Sequence, residues 1–391
     1  MSGIGLVMSG GGARGAYEVG VLSYVFGDLV RQRKRVPPLA IVAGTSVGAV
    51  NGTFVASVAH DLEGGVARLE RMWRELELTD ILRFGLRQIA SLPRVMLGGA
   101  EASGVFDTAA LRGLVMRELD FSRLRQNLDR GVLQAVTVTA THVMTGRPVV
   151  FVDRAPGTAH ATALSSQALL REGPIRVEHV LASAAIPLIF PPIDIDGYLH
   201  CDGGLRLNTP MAPALHLGAE RLLVIGVSSP SSAGAPALAP GMYPGASFLL
   251  GKVLNAFLLD HVNLDLANLE RTNEFLRHGV EAFGEEFLSR MNAVAARDGV
   301  PTRRIVDVCA IHPSLDLGRL AAEHLRTHRL RFGTTLGRSF LQFLDVGEGA
   351  DADLASYLLF DGAFAQRLIE LGRRDARAKK DELEAFLYKG H

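Results

Sequence analysis

Apolar residues in this chain fall into two spacings. Unbroken runs at Ile4–Met8 and Leu39–Ala43 read as short strands buried on both faces. Between them Tyr17, Val21, Tyr24 and Val25 share one helical face, which predicts a helix over about 16–30. The basic stretch Arg31–Arg35 and Pro37-Pro38 close it. A tight turn at 44–48 then leads into a small-residue helix over about 49–59. Strand, glycine turn and helix, given twice, form the alternation of an α/β layered fold with a mostly parallel sheet.

Residues 61–131 read as helical, with a Gly/Ala/Ser-rich break near 98–104. Asp107 and Thr108 are the N-cap candidates for a helix over 109–119. Further strands are expected at Val132–Val138, Val149–Val152, Ile193–Tyr198 and Leu222–Val227. After Ser228 the composition shifts, and 230–245 reads as a Pro/Ala/Ser/Gly linker. It divides a domain over 1–229 from a mainly helical extension over 230–391 packed on it. That extension includes a strand at Arg304–Ile311 and a charged last helix over about 364–388. Asp361-Gly362 reads as a turn. The segment 246–266 is apolar nearly all round. It is expected to lie buried in this chain or in a homodimer interface, with a lid or membrane-docking helix as the alternative.

With 48% hydrophobic and 21% charged residues, the chain can build a large core, which excludes a disordered tail protein. Cations and anions balance at 41 each, so no basic field points to nucleic acid. Two cysteines, Cys201 and Cys309, allow one bridge at most and fit a reducing compartment. No Cys/His spacing suits a metal, and no cofactor is expected. The best apolar run is interrupted by Lys252, Asn255 and Asp260. The expectation is a soluble, cytoplasmic protein whose contact with a membrane, if any, is peripheral.

Three glycine motifs carry the candidate chemistry. The first, Gly10-Gly11-Gly12-Ala13-Arg14-Gly15, follows a strand and opens a helix. It satisfies the dinucleotide fingerprint, but the second strand ends in Ala43-Gly44-Thr45-Ser46 with no acid to hold a ribose. It also has the phosphate-loop spacing of Gly10 to Gly15, yet Ala16-Tyr17 stands where Lys-Ser/Thr is required. What remains is a run of backbone N–H groups able to cradle an anion.

The second, Gly44-Thr45-Ser46-Val47-Gly48, matches GxSxG between a buried strand and a helix, the setting of a nucleophile elbow. The bland alternative is a glycine turn capped by a serine. A serine needs a base, and His200, two residues before Asp202, is the histidine that would share a strand face with an acid. The third motif, Asp202-Gly203-Gly204, could aim a carboxylate into a cleft or serve only as a hairpin turn.

Taken together, the glycine loop, the GxSxG elbow and the DGG resemble the patatin-like phospholipase family. Ala182-Ser183-Ala184-Ala185-Ile186-Pro187 through Pro191-Pro192 and Asn208-Thr209-Pro210 also look like its pattern. The resemblance covers roughly residues 1–230. It implies a three-layer α/β/α patatin-type fold with extra C-terminal helices, and a serine acyl hydrolase acting on lipid or phospholipid esters. It also implies a dyad of Ser46 as nucleophile and Asp202 as base. Gly10, Gly11 and Gly12 would form the oxyanion hole, with Arg14 in the same loop and Gly15, Gly44, Gly48, Gly203 and Gly204 in support. A Ser–His–Asp esterase using His200, or a catalytically inactive lipid-binding protein, are the rival readings. For Arg14 two roles stay open, charge near the oxyanion or a lipid phosphate, and a bridge from loop to core.

Overall fold

The computed structural model describes residues 3–81, 106–158, 168–187, 189–229, 252, 260–298, 302–328 and 353–388. The expected linker at 230–245, the break near 98–104 and most of the apolar segment 246–266 lie outside these.

Nine strands of the described residues form one sheet, in the order β5-β4-β3-β2-β1-β8-β9 with β7 and β6 added beside β3. The strands are β1 Ile4–Met8, β2 Leu39–Thr45, β3 Ala135–His142, β4 Pro148–Arg154, β5 Leu169–Glu172, β6 Ile193–Ile195, β7 Tyr198–Asp202, β8 Arg221–Ile225 and β9 Asp307–Ile311. The central pairings β3-β2-β1-β8-β9 are all parallel. β4, β6 and β7 enter antiparallel pairings. Every residue of β1 and β2 is buried, as continuous apolar strands covered on both faces must be. One face carries Leu6, Met8 and Val42 against the helices Gly15–Leu22 and Val47–Ser57. The other carries Val7, Ile41 and Ala43 against Met211, Ala214, Leu266 and Leu269. The result is an α/β fold of three layers.

The expected strand at Ile193–Tyr198 is instead a hairpin, β6–β7, turning at Asp196-Gly197. Both turn residues have positive φ, 53° and 86°, as a type I′ turn requires. The same hairpin frees Asp202-Gly203 from turn duty. Asp361 likewise opens a helix, Gly362–Ala378, its carboxylate accepting the Phe364 N–H at 2.9 Å. Asp107 accepts the Ala109 N–H at 2.9 Å and so holds the start of the helix Ala109–Glu118. Both cysteines are free and buried, Cys201 on β7 and Cys309 on β9. β9 pairs with β8, so the chain beyond 230 contributes a strand to the central sheet.

Candidate active site

The register on β3 sets the site. β2 pairs with β3 as far as Thr45 opposite Thr139, then leaves for the elbow. β7 comes in antiparallel and ends with Asp202 opposite Ala140. Two strands therefore stop head to head at neighbouring positions of a third, and the residues at their ends meet. Ser46 Oγ donates to Asp202 Oδ2 at 2.6 Å.

Ser46 sits at φ 55°, ψ −125°, a conformation L residues adopt only when the surroundings impose it. Two interactions do so here. The Ser46 N–H donates to Ser183 Oγ at 2.8 Å, and Ser183 Oγ donates to the Thr139 carbonyl at 2.6 Å. Directly behind, the helix Val47–Ser57 begins, its Ala49 and Val50 N–H groups donating to the Ser46 carbonyl. That N-terminus favours negative charge near the serine.

Asp202 is wholly buried. Its Oδ1 accepts the Gly204 N–H at 2.7 Å, and Thr141 Oγ1 donates to its carbonyl at 2.9 Å. Burial raises its carboxyl from an ordinary value to about 7, against the lowering pull of the Ser46 and Gly204 hydrogen bonds. A carboxylate titrating near neutrality is a far better base for an alcohol than an exposed one.

The glycine loop runs over the serine. A Cβ on Gly10 would come within 2.9 Å of Ser46 Cβ and would collide with Asn208 Oδ1, so only glycine fits there. Gly10 donates its N–H to the Asn208 carbonyl at 3.2 Å, which occupies that amide. The amides of Gly11 and Gly12 have no such carbonyl partner among the described residues. Gly12 has φ 56° and lies against the Tyr357 carbonyl, where a Cβ would clash. Of the remaining motif glycines, Gly15 opens the first helix, Gly44 lies in β2, Gly48 in the elbow helix, and Gly203 and Gly204 turn away after Asp202.

Arg14 bridges loop and core. Its N–H donates to Gly11 O at 3.1 Å, and its buried guanidinium donates to Ser356 Oγ at 2.8 Å. The same group pairs with Asp353 at 3.4 Å and lies 4.1 Å over the Tyr357 ring. His200 does not stand between Ser46 and Asp202, which bond directly. Its Nδ1 lies 2.8 Å from the Tyr198 carbonyl, and its ring packs against Phe151 and His142.

An apolar slot of about 50 Å³ opens on Ser46, lined by Gly12, Val50, Trp73, Leu358 and Phe360 among others. Trp73 donates from Nε1 to Asn51 Oδ1 at 3.0 Å, and Asn51 Nδ2 donates to Glu18 Oε2 at 2.8 Å. Glu18 is fully buried and its carboxyl is pushed well up by that burial. Sequence patterns gave no sign of this network, because nothing local links residues 18, 51 and 73. Ser183 stands in the Ala182–Pro187 stretch, yet its bond to the Ser46 amide depends on a helix packed across β3. Among the described residues no helix is long and apolar enough to cross a membrane, and no group of three acidic, His or Cys side chains could hold a metal.

A strained serine elbow facing a strand-end aspartate under a glycine loop, on a mostly parallel sheet, defines a class of Ser–Asp sites. The sequence profile described as patatin-like phospholipase matches residues 6–215. The chain belongs to the patatin-like phospholipase family. A patatin-like phospholipase domain-containing protein of Caenorhabditis elegans is 28% identical over 230 residues, 58% of this chain. The chain spans only 14% of the length of that relative. Among solved structures, human GIVD cytosolic phospholipase A2 bound to methyl gamma-linolenyl fluorophosphonate is 13% identical with a TM-score of 0.45, over 98% of this chain and 59% of its own. VipD from Legionella pneumophila is 14% identical with a TM-score of 0.35, over 95% of this chain and 67% of its own.

Proposed function

We propose that the protein is a serine acyl hydrolase that cleaves the acyl esters of lipids, phospholipids or lysophospholipids. The observation that carries this reading is the buried 2.6 Å hydrogen bond from Ser46 Oγ to Asp202 Oδ2 on a strained elbow. Family membership supports the lipid ester as substrate.

In this mechanism Ser46 Oγ attacks the ester carbonyl carbon while its proton passes to Asp202 Oδ2. The carbonyl oxygen becomes an oxyanion and accepts the Gly11 and Gly12 N–H groups, each worth about 3–4 kcal/mol. Gly10 acts by its small size, since its own amide is held by Asn208. Collapse expels the alcohol, which takes the proton from Asp202 and leaves an acyl-serine. Water then attacks, giving its proton to Asp202, and Ser46 is restored as the fatty acid departs. The chain needs no third member, because Asp202 already titrates near neutrality.

The test is hydrolysis of a short p-nitrophenyl ester, together with labelling by a fluorophosphonate. Ser46→Ala is expected to abolish both while the circular dichroism spectrum is retained. Activity surviving in Ser46→Ala would exclude the reading. Loss in His200→Ala with near-full activity in Asp202→Asn would replace the dyad with a triad.

A further inference from the structure

A second, larger cavity of about 610 Å³ lies between β4, β5, the β6–β7 hairpin and the start of the helix Val177–Ser183. Three imidazoles line it, His142, His179 and His200, around the Phe151 ring. His179 stacks on Phe151 at 4.1 Å between centres, and the His142 and His200 rings meet edge to face at 5.5 Å. His179 and His200 are each only 5% exposed, so their polar atoms face the cavity or protein and little else.

The backbone fixes which nitrogen of each ring carries the proton. His142 Nδ1 accepts the Thr145 N–H at 3.2 Å, and His179 Nδ1 accepts the Arg176 N–H at 3.1 Å, leaving Nε2–H as the donor in both. His200 Nδ1 instead faces the Tyr198 carbonyl, so its Nε2 is a bare acceptor. Burial and then the Arg176 charge hold His179 down to about 4, and burial lowers His200 as well. His179 and His200 are therefore neutral at pH 7 and do not repel one another.

Two features ask for an anion. Arg176 Nη2 and His179 Nε2 lie 3.5 Å apart and with this tautomer both are donors; Arg176 Nη2 gives its hydrogens to the Asp196 carboxylate at 3.2 Å, so it is the His179 Nε2–H that an acceptor oxygen would complete. Arg171 lines the same cavity and has no carboxylate partner among the described residues. The acids at the rim are already engaged, Glu172 with Arg154 at 3.0 Å and Asp196 with Arg176 at 3.2 Å.

The geometry points to a binding site for the phosphate of a phosphate ester, with Arg171, Arg176, His142 and His179 donating to its oxygens. A proton of the monoanion, or a hydroxyl of the ligand, donates to His200 Nε2. Two sources share that chemistry, the headgroup of a lipid and a free phosphate ester. The site is built on the same two elements as the dyad. His200 precedes Asp202 by two residues on β7, about 7 Å along the strand. His179 precedes Ser183 by one helical turn, about 6 Å. The cavity and the Ser46–Asp202 pair are thus offset along the same strand and the same helix, the relation a headgroup and its ester would need. The headgroup source rests on the hydrolase reading above, whereas the site itself does not.

The experiment titrates Ser46→Ala protein with glycerol 3-phosphate in a calorimeter, with glycerol as the uncharged control. Saturable binding of the phosphate ester alone is expected, weakened at least tenfold by Arg171→Gln. No saturable binding, or binding that Arg171→Gln leaves unaltered, overturns the site. A second arm compares lysophosphatidylcholine with the monoacylglycerol of the same chain on active enzyme. If Arg171→Gln lowers the kcat/KM ratio of the two about tenfold, the ligand is the substrate headgroup. If the ratio holds while glycerol 3-phosphate binding is lost, a free phosphate ester is the ligand. Should Ser46→Ala retain esterase activity, the hydrolase reading fails and the calorimetric result stands by itself.

Discussion

The Arg14 guanidinium lies 4.1 Å over the ring of Tyr357 and ties the glycine loop to a segment beyond the part of the chain matched by the family profile. Asp353 is shared between Arg14 at 3.4 Å and Lys252 at 2.6 Å. Arg14→Met keeps the stem but removes the charge, leaving Asp353 with Lys252 alone. The expected cost is about 2–4 kcal/mol in urea unfolding, because a buried pair is broken on one side. Esterase kcat should fall with it, since Gly11 and Gly12 lose the strut that holds their amides. Unchanged stability and kcat would show that the loop holds itself.

The raised carboxyl of Asp202 has a consequence for stability. Its folded value, about 7, stands above the usual value near 4, so the native state holds a proton that the unfolded chain releases between those pH values. Stability therefore falls as pH rises through that window. Asp202→Asn removes the charge and can keep the Gly204 contact. It is expected to stabilise the protein by about 1–3 kcal/mol at pH 8 and by less at pH 5, while activity is lost. Denaturant unfolding at the two pH values measures this, and an equal or negative effect at pH 8 would contradict it.

In the proposed mechanism the same group also sets the pH dependence of rate. As the proposed base, Asp202 would act only when ionised, so kcat/KM on a p-nitrophenyl ester should climb with pH and level off above about 7. A profile with its inflection near 4 would mean that the carboxyl is not held up by burial during turnover.

Ser183 is a positioning residue. Its hydroxyl accepts the Ser46 N–H and donates to the Thr139 carbonyl. Ser183→Ala strands a buried amide and should cost about 1–3 kcal/mol in stability. Because it also relaxes the elbow, kcat is expected to fall about tenfold with KM little changed, and Ser183→Thr to restore part of the loss. A mutant that loses stability with kcat intact would confine Ser183 to the core.

The fold was legible where one short stretch carries its own pattern. Ile4–Met8 and the strand beginning at Leu39 announce themselves as apolar runs, and Ser46 follows from glycines on either side of it. β5, Leu169–Glu172, was not visible, because a four-residue edge strand ending in Arg-Glu has neither alternation nor a buried run. The β6–β7 hairpin reads as one strand in the sequence: Asp196-Gly197, its turn, breaks the run Ile193–Tyr198 with no other turn signal, while the turn alternative is weighed only at Asp202-Gly203 and Asp361-Gly362. Of the site, residue types could be read but not environment. That Asp202 is wholly buried, or that Gly10 gives its amide to Asn208, depends on register at β3 and on contacts across some two hundred positions. Arg14 admitted two roles for the same reason. Its partners, Asp353, Ser356 and Tyr357, lie at the far end of the chain.

The same distant segment also shapes what the slot can hold. Leu358 and Phe360 wall the space above Ser46, and Phe360 stacks on Trp73 at 6.3 Å between ring centres. If the acyl chain lies in this slot, each buried methylene contributes about 0.8 kcal/mol to the preference for a longer ester. Leu358→Trp fills the slot and should lower the kcat/KM ratio of octanoyl to butyryl p-nitrophenyl ester by roughly tenfold or more. Leu358→Ala should move the ratio the other way, because the added space admits more of the chain. Both ratios matching wild type would place the acyl chain elsewhere and leave the C-terminal segment a purely structural wall.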